Sequence, residues 1–171
     1  APPDAAGEKA ALLLKLVADL GVPFQHERSF RISRGALHAN RFLLSLDLAD
    51  IPGSPMDKVL EICARLDIPA ASRSSAEESF GTAACVHFGF EEAAGSLLYK
   101  LYLERQVPDA EAADAAVRRA PVLLHLAFKW DPVTRAEVVT RYHWYPRLPM
   151  SELETRLASV YRGRPSGESM D

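Results

Sequence analysis

The sequence has no catalytic signature to begin from. It holds no GxxxxGK phosphate loop, no GxGxxG after a strand, no HExxH and no GxSxG, so none of these motifs names a reaction. An acid-rich motif for metal-bound diphosphates is absent too. Cysteine is scarce. Cys63 and Cys85 stand without CxxC spacing, which excludes a disulfide framework and leaves two buried thiols in a reducing compartment as the expectation. Positive charge is not in excess: a net charge of −3 argues against a protein held to nucleic acid by a basic surface, and nucleic acid is not expected as a partner. Long apolar runs are missing as well. The longest, Ala10 to Leu14, is far too short to cross a bilayer, and no charged-then-apolar leader precedes it. The expectation is a cytoplasmic protein with no membrane association. No motif specifies a cofactor, and none is expected.

What is present is a globular composition and a repeat. With 48% apolar and 25% charged residues in 171, the chain can build a core without metal or disulfide support, most simply as one α+β domain over 1–161. Residues 162–171 have the composition of a flexible tail. Between Ala83 and Trp144 one pattern is written twice. Cys85-Val86-His87-Phe88-Gly89-Phe90-Glu91 precedes Leu97 to Leu103; Leu123-Leu124-His125-Leu126-Ala127-Phe128-Lys129 precedes Val138 to Trp144. Each copy reads as a strand, a turn, and a second strand with a cation at its centre, Lys100 or Arg141.

The rest of the chain fits around these hairpins. Glu8 to Leu20 has a helical stripe of Leu13, Leu16, Val17 and Leu20, stopped by Gly21 and Pro23. Phe24 to Ser33 and Arg41 to Ala49 read as strands joined by a loop turning at Gly35 and Asn40. Ser54-Pro55-Met56-Asp57 is a helix start, with a capping serine, proline in the first turn and an acid behind it. Ala70 to Thr82 reads either as a mobile lid or contact loop, or as a short helix opened by Ser75. An alanine-rich helix is expected over 109–119, and Ser151 to Glu154 opens a final helix with Leu153, Leu157, Val160 and Tyr161 in its stripe. The order is a helix followed by three ββα units, about 24–66, 83–119 and 121–161, with about six antiparallel strands.

Strand alternation sorts the side chains. Val86, Phe88, Phe90, Tyr99, Leu101, Leu103, Leu124, Leu126 and Phe128 form an apolar face for the helices to cover. In the last strand Val138, Thr140, Tyr142 and Trp144 are expected on that same face. The uncovered face then carries His87, His125, Lys100, Tyr102, Arg141, His143 and Tyr145. Polar residues on an open antiparallel sheet are often merely solvated. Two features favour a ligand: three of the chain's five histidines share the face, and the small residues Gly89 and Ala127 leave room beside the backbone.

The helix–hairpin repeats, with Lys100-Leu101-Tyr102 and Arg141-Tyr142-His143 turned away from the helices, resemble the ABBA (PT-barrel) aromatic prenyltransferases. The resemblance implies a barrel of antiparallel strands with a prenyl diphosphate and an aromatic acceptor in its lumen. Lys100 and Arg141 would contact the diphosphate, and Tyr102 and Tyr145 would shield an allylic cation with their ring faces. That family's barrel has more strands than this chain supplies. The sheet would therefore stay open, close in part, or be completed by a second subunit in a homodimer.

Two functions follow as expectations. One is a small-molecule binding protein or tailoring enzyme that holds an anionic, partly aromatic or isoprenoid ligand through Lys100, Tyr102, His125, Arg141, His143 and Tyr145. In that case His87 or His143 is the candidate general base. The other is an accessory, chaperone-like protein whose sheet face or edge holds a partner segment. Cys85, His87, His125 and His143 also have the chemical types of metal ligands, although strand histidines are more often hydrogen-bonded structural residues.

Overall fold

The computed structural model describes residues 5–33, 35–93, 96–106, 121–145 and 148–162. They fall into two compact units, one drawn from 1–106 and 123–143, the other from 107–122 and 144–171. The fold class is α+β, as the alternating and helical patterns indicate. Both the helix expected over 109–119 and the tail beyond residue 162 lie outside the described residues.

The first unit is an antiparallel sheet with helices on one face. Its strands are β1 (Gln25–Arg28), β4 (Arg41–Asp47), β5 (Ala83–Ala93), β6 (Ser96–Arg105), β7 (Val122–Trp130) and β8 (Glu137–Trp144), ordered β1-β4-β5-β6-β7-β8. The sheet is open: β1 and β8 form its two ends. Helices α1 (Ala5–Ala18), α2 (Pro55–Arg65) and α3 (Ala70–Phe80) supply Leu13, Leu16, Val17, Val59, Leu60, Cys63, Ala76 and Phe80 to the core. Opposite them lie Leu44, Leu46, Val86, Phe88, Phe90, Tyr99, Leu101, Leu103, Leu126, Phe128 and Trp130. Each large apolar side chain fully buried here contributes about 1.5–3 kcal/mol.

Two polar handles fix the helix layer. The Tyr99 hydroxyl donates to the Lys9 carbonyl in α1 at 2.9 Å, and the Trp130 indole donates to the Leu66 carbonyl just past α2 at 2.8 Å. Satisfying these donors inside the core favours one packing over its alternatives. Burial pushes the Cys63 thiol up to about 12, which makes it an inert packing group, whereas Cys85 is only half-buried.

Several local expectations hold and several are corrected. Ser54 caps α2 as its sequence indicates, accepting from the Asp57 amide at 3.3 Å, with Pro55 in the first turn. The strand expected over Phe24 to Ser33 is two elements. β1 stops at Arg28, and β2 (Arg31–Ser33) pairs with β3 (Ala36–His38) as a separate hairpin turned at Gly35, whose φ of +78° suits glycine. Ala70 to Phe80 is helix, opened at Pro69 rather than Ser75, and not a lid loop. Its small residues obscured the buried positions Ser72, Ala76 and Phe80, which recur at four-residue spacing. In the second unit, α4 (Met150–Arg162) starts right after Pro149, so Ser151 lies inside the helix instead of capping it, and Arg156 pairs with Glu152 one turn back.

Candidate functional site

The uncovered sheet face of the first unit holds a cavity of about 420 Å³. Six strands contribute, which is why no contiguous motif announces it: Glu27 from β1, Arg41 and Leu43 from β4, His87 and Gly89 from β5, Lys100 and Tyr102 from β6, His125 from β7 and Tyr142 from β8. Register brings them side by side, with His87 opposite Tyr102, Gly89 opposite Lys100, and Tyr102 opposite Ala127.

One end of the face is an ion cluster. Lys100 Nζ donates to the Glu91 carboxylate, and both side chains are nearly buried, at 7% and 5% exposure. Arg31 and Arg41 approach the same carboxylate at 3.5 and 3.6 Å. Burial by itself would raise the Glu91 carboxyl, but the hydrogen bond and charge of Lys100, joined by Arg41 and Arg31, hold it below its ordinary range. Three cations around one carboxylate leave an excess of positive charge within that cluster, with Glu27 a further carboxylate on the cavity wall. Arg41, about one-third exposed, carries that excess to the cavity wall.

The other end is an aromatic and imidazole cluster. His87 Nδ1 meets Ser45 Oγ at 2.8 Å and its Nε2 meets Glu104 Oε2 at 2.7 Å; His125 Nε2 meets the same carboxylate oxygen at 3.3 Å. The two imidazoles are 5.6 Å apart by ring centroid. Tyr102 stands edge-on to both of them and 6.1 Å from Tyr142, whose hydroxyl accepts from Lys129 at 3.0 Å. Burial, reinforced by neighbouring Tyr142, pushes the Tyr102 phenol up to about 12, so it stays a neutral ring with a donor hydroxyl at neutral pH. Cys85, opposite Glu104 in the register, is raised by burial first and then by Glu104 and Asp47, which disfavours a thiolate.

The parity expected for β8 is reversed. Tyr142 lies on the cavity face, so alternation turns Arg141 and His143 to the opposite side, where Glu137 accepts from the Ser72 hydroxyl of α3. Arg141 and His143 are both exposed, and the expected trio of face-sharing histidines is a pair. Tyr145 lies beyond β8 in the second unit, with the Arg156 guanidinium 4.4 Å from its ring. Nor is the space at Gly89 free for a ligand: a Cβ there would meet Lys100 Cβ at 3.2 Å and Cδ at 3.3 Å, so the glycine accommodates the lysine stem. Ala127 is fully buried. Arg41, Ser45, Glu91, Glu104 and Tyr142 were not singled out from sequence. Strand alternation places Ser45, Glu91 and Glu104 on this face, but only register shows which side chains they meet.

Fold and site together define an α+β protein with an open antiparallel sheet and a charged, aromatic cavity on its uncovered face. Compared with protein families, curated proteins and solved structures, the chain gives no match. The geometry of the cavity therefore carries the functional reading.

Proposed function

We propose that this chain binds an anionic, partly aromatic or isoprenoid small molecule in the sheet cavity, as a binding protein or tailoring enzyme. The observation that carries the reading is the convergence of excess positive charge at Arg41 with the rings of Tyr102, Tyr142, His87 and His125 around one space of about 420 Å³. That volume suits a small-molecule ligand, with charged groups to orient it and several rings to pack against it. Lys100, Tyr102, His125 and the candidate base His87 are the sequence candidates at this wall. In this reading Lys100 acts through Glu91, and Arg41 makes the direct contact with the anion. The resemblance to aromatic prenyltransferases makes organic diphosphates and aromatic acids the first compounds to try.

Thermal unfolding in the presence of organic diphosphates and aromatic acids tests this, since a ligand that binds only the native state raises the midpoint. A saturable rise that Arg41→Ala and Tyr102→Ala abolish, and Arg141→Ala keeps, is the expected result. A rise equally present in Arg41→Ala, or none with any compound, removes the reading.

A second reading has its own observation. The β2–β3 hairpin exposes Phe30, Ile32 and Leu37 at 65, 68 and 65%, an apolar patch suited to a partner segment. Ile32→Asp with Leu37→Asp would abolish such an interaction and leave the cavity's thermal shifts unchanged.

A further inference from the structure

We propose that His87, Glu104 and His125 form a binding site for a divalent first-row transition-metal ion. The three side chains come from three adjacent strands, β5, β6 and β7. Register explains their meeting: His125 is directly opposite Glu104, and His87 lies on the diagonal, two residues from Cys85, which is Glu104's partner on the other side. One donor atom from each residue falls within 4.8 Å of the other two, with Glu104 Oε2 at 2.7 Å from His87 Nε2 and 3.3 Å from His125 Nε2. A tetrahedral ion with nitrogen and oxygen ligands at about 2.0–2.2 Å sets neighbouring donors roughly 3.3–3.6 Å apart. The donor set is therefore gathered to nearly the required size by the sheet itself.

A second feature points the same way. Ser45 Oγ stands 2.8 Å from His87 Nδ1, where it can accept the Nδ1 proton once an ion takes the place of the proton that the 2.7 Å contact between Nε2 and Glu104 requires. An outer partner that fixes the tautomer of a histidine is the usual companion of a ligating imidazole. Two imidazoles and a carboxylate suit zinc, iron, cobalt or nickel more than calcium or magnesium, which take mainly oxygen ligands. Three protein donors leave a coordination position open, and His87 and His125 both border the cavity. The metal site goes beyond the proposed small-molecule function and does not depend on it.

Cobalt(II) chloride titrated into the full chain tests the site, because bound Co²⁺ absorbs in the visible with an intensity that reports low coordination. One saturable equivalent, displaced by zinc, is expected. Ser45→Ala should weaken it about tenfold to a hundredfold. His87→Ala, His125→Ala and the near-isosteric Glu104→Gln should abolish it, while His143→Ala, on the other side of β8, leaves it unchanged. Absence of a saturable cobalt spectrum in the native chain would overturn the site without reference to any variant's folding. So would a full-strength spectrum in folded Glu104→Gln, or its loss in folded His143→Ala. The titration contains no organic anion, so its outcome is separable from that of the ligand screen.

Discussion

The hairpins β5–β6 and β7–β8 carry nearly the same string, yet they do different work. Lys100 and Arg141 occupy the same place in the two copies. Lys100 is buried on the cavity face against Glu91, whereas Arg141 is exposed on the opposite side of the sheet. Position in the sheet accounts for the difference. β6 lies between β5 and β7, and its alternate residues Tyr99, Leu101 and Leu103 are held in the core. β8 is an end strand on which no residue is buried, so apolar residues there do not report where the core is. What sets its parity is the turn. Asp131 accepts from the Val133 and Thr134 amides at 2.8 and 2.9 Å, and Arg135 takes a φ of +62°. A repeated sequence predicts a repeated strand, but it does not predict which way that strand faces.

The two hairpins differ most in what rests on Glu91. Glu91→Gln leaves Lys100 buried without its counter-ion and should cost about 3–5 kcal/mol, whereas Arg141→Ala should change stability by no more than about 0.5 kcal/mol. Urea unfolding of both variants measures the contrast, and equal effects would mean the hairpins are equivalent after all. The next pair is Leu101→Ala and Tyr142→Ala, again the same place in each copy. Leu101 lies between Phe88 and Phe128 in the register and is fully buried, so its truncation should cost about 2–5 kcal/mol. Tyr142→Ala loses one exposed hydrogen bond to Lys129 and should cost at most about 1.5 kcal/mol.

Asp131→Ala removes both acceptor contacts of the β7–β8 turn and should cost about 1–2 kcal/mol. Altered amide exchange along β8, beyond the Leu97 amide of β6 that Asp131 also meets, would show that the turn holds the register. Acid sharpens the contrast further. The Glu91 carboxyl is held below its ordinary value of 4.5, so it contributes stability above that pH and loses it as pH falls through the lowered folded value. The urea midpoint should therefore drop below about pH 4.5. Glu91→Gln should flatten that drop, and an unchanged slope would assign acid sensitivity elsewhere, such as to Asp131, which the Thr134 amide also holds low. The smallest effect expected is at Gly89, where the methyl of Gly89→Ala would meet Lys100 Cβ at 3.2 Å on a stem held by Glu91 and should cost about 1 kcal/mol.

Much of the fold was legible because burial imposes a period. The stripe Leu13, Leu16, Val17 marked α1, Ser54-Pro55 marked the start of α2, and alternation in β5 and β6 separated Phe88 and Leu101 from His87 and Lys100. Where burial is weak, the period misleads. The small residues of α3 read equally as loop, the exposed Phe30 and Ile32 extended β1 into a separate hairpin, and β8 was turned the wrong way.

Local alternation sets the covered side of β4 to β7 and the presence of His87, His125, Lys100 and Tyr102 on the uncovered one, because alternation is a property of the backbone alone. Tertiary structure alone decided the partners: Glu91 for Lys100, Ser45 and Glu104 for His87, and Tyr142 in place of Arg141 at the cavity wall. Those depend on register between strands distant in sequence and on the geometry of one turn. Both arise from hydrogen bonding across the sheet and from packing, neither of which is written in any single segment.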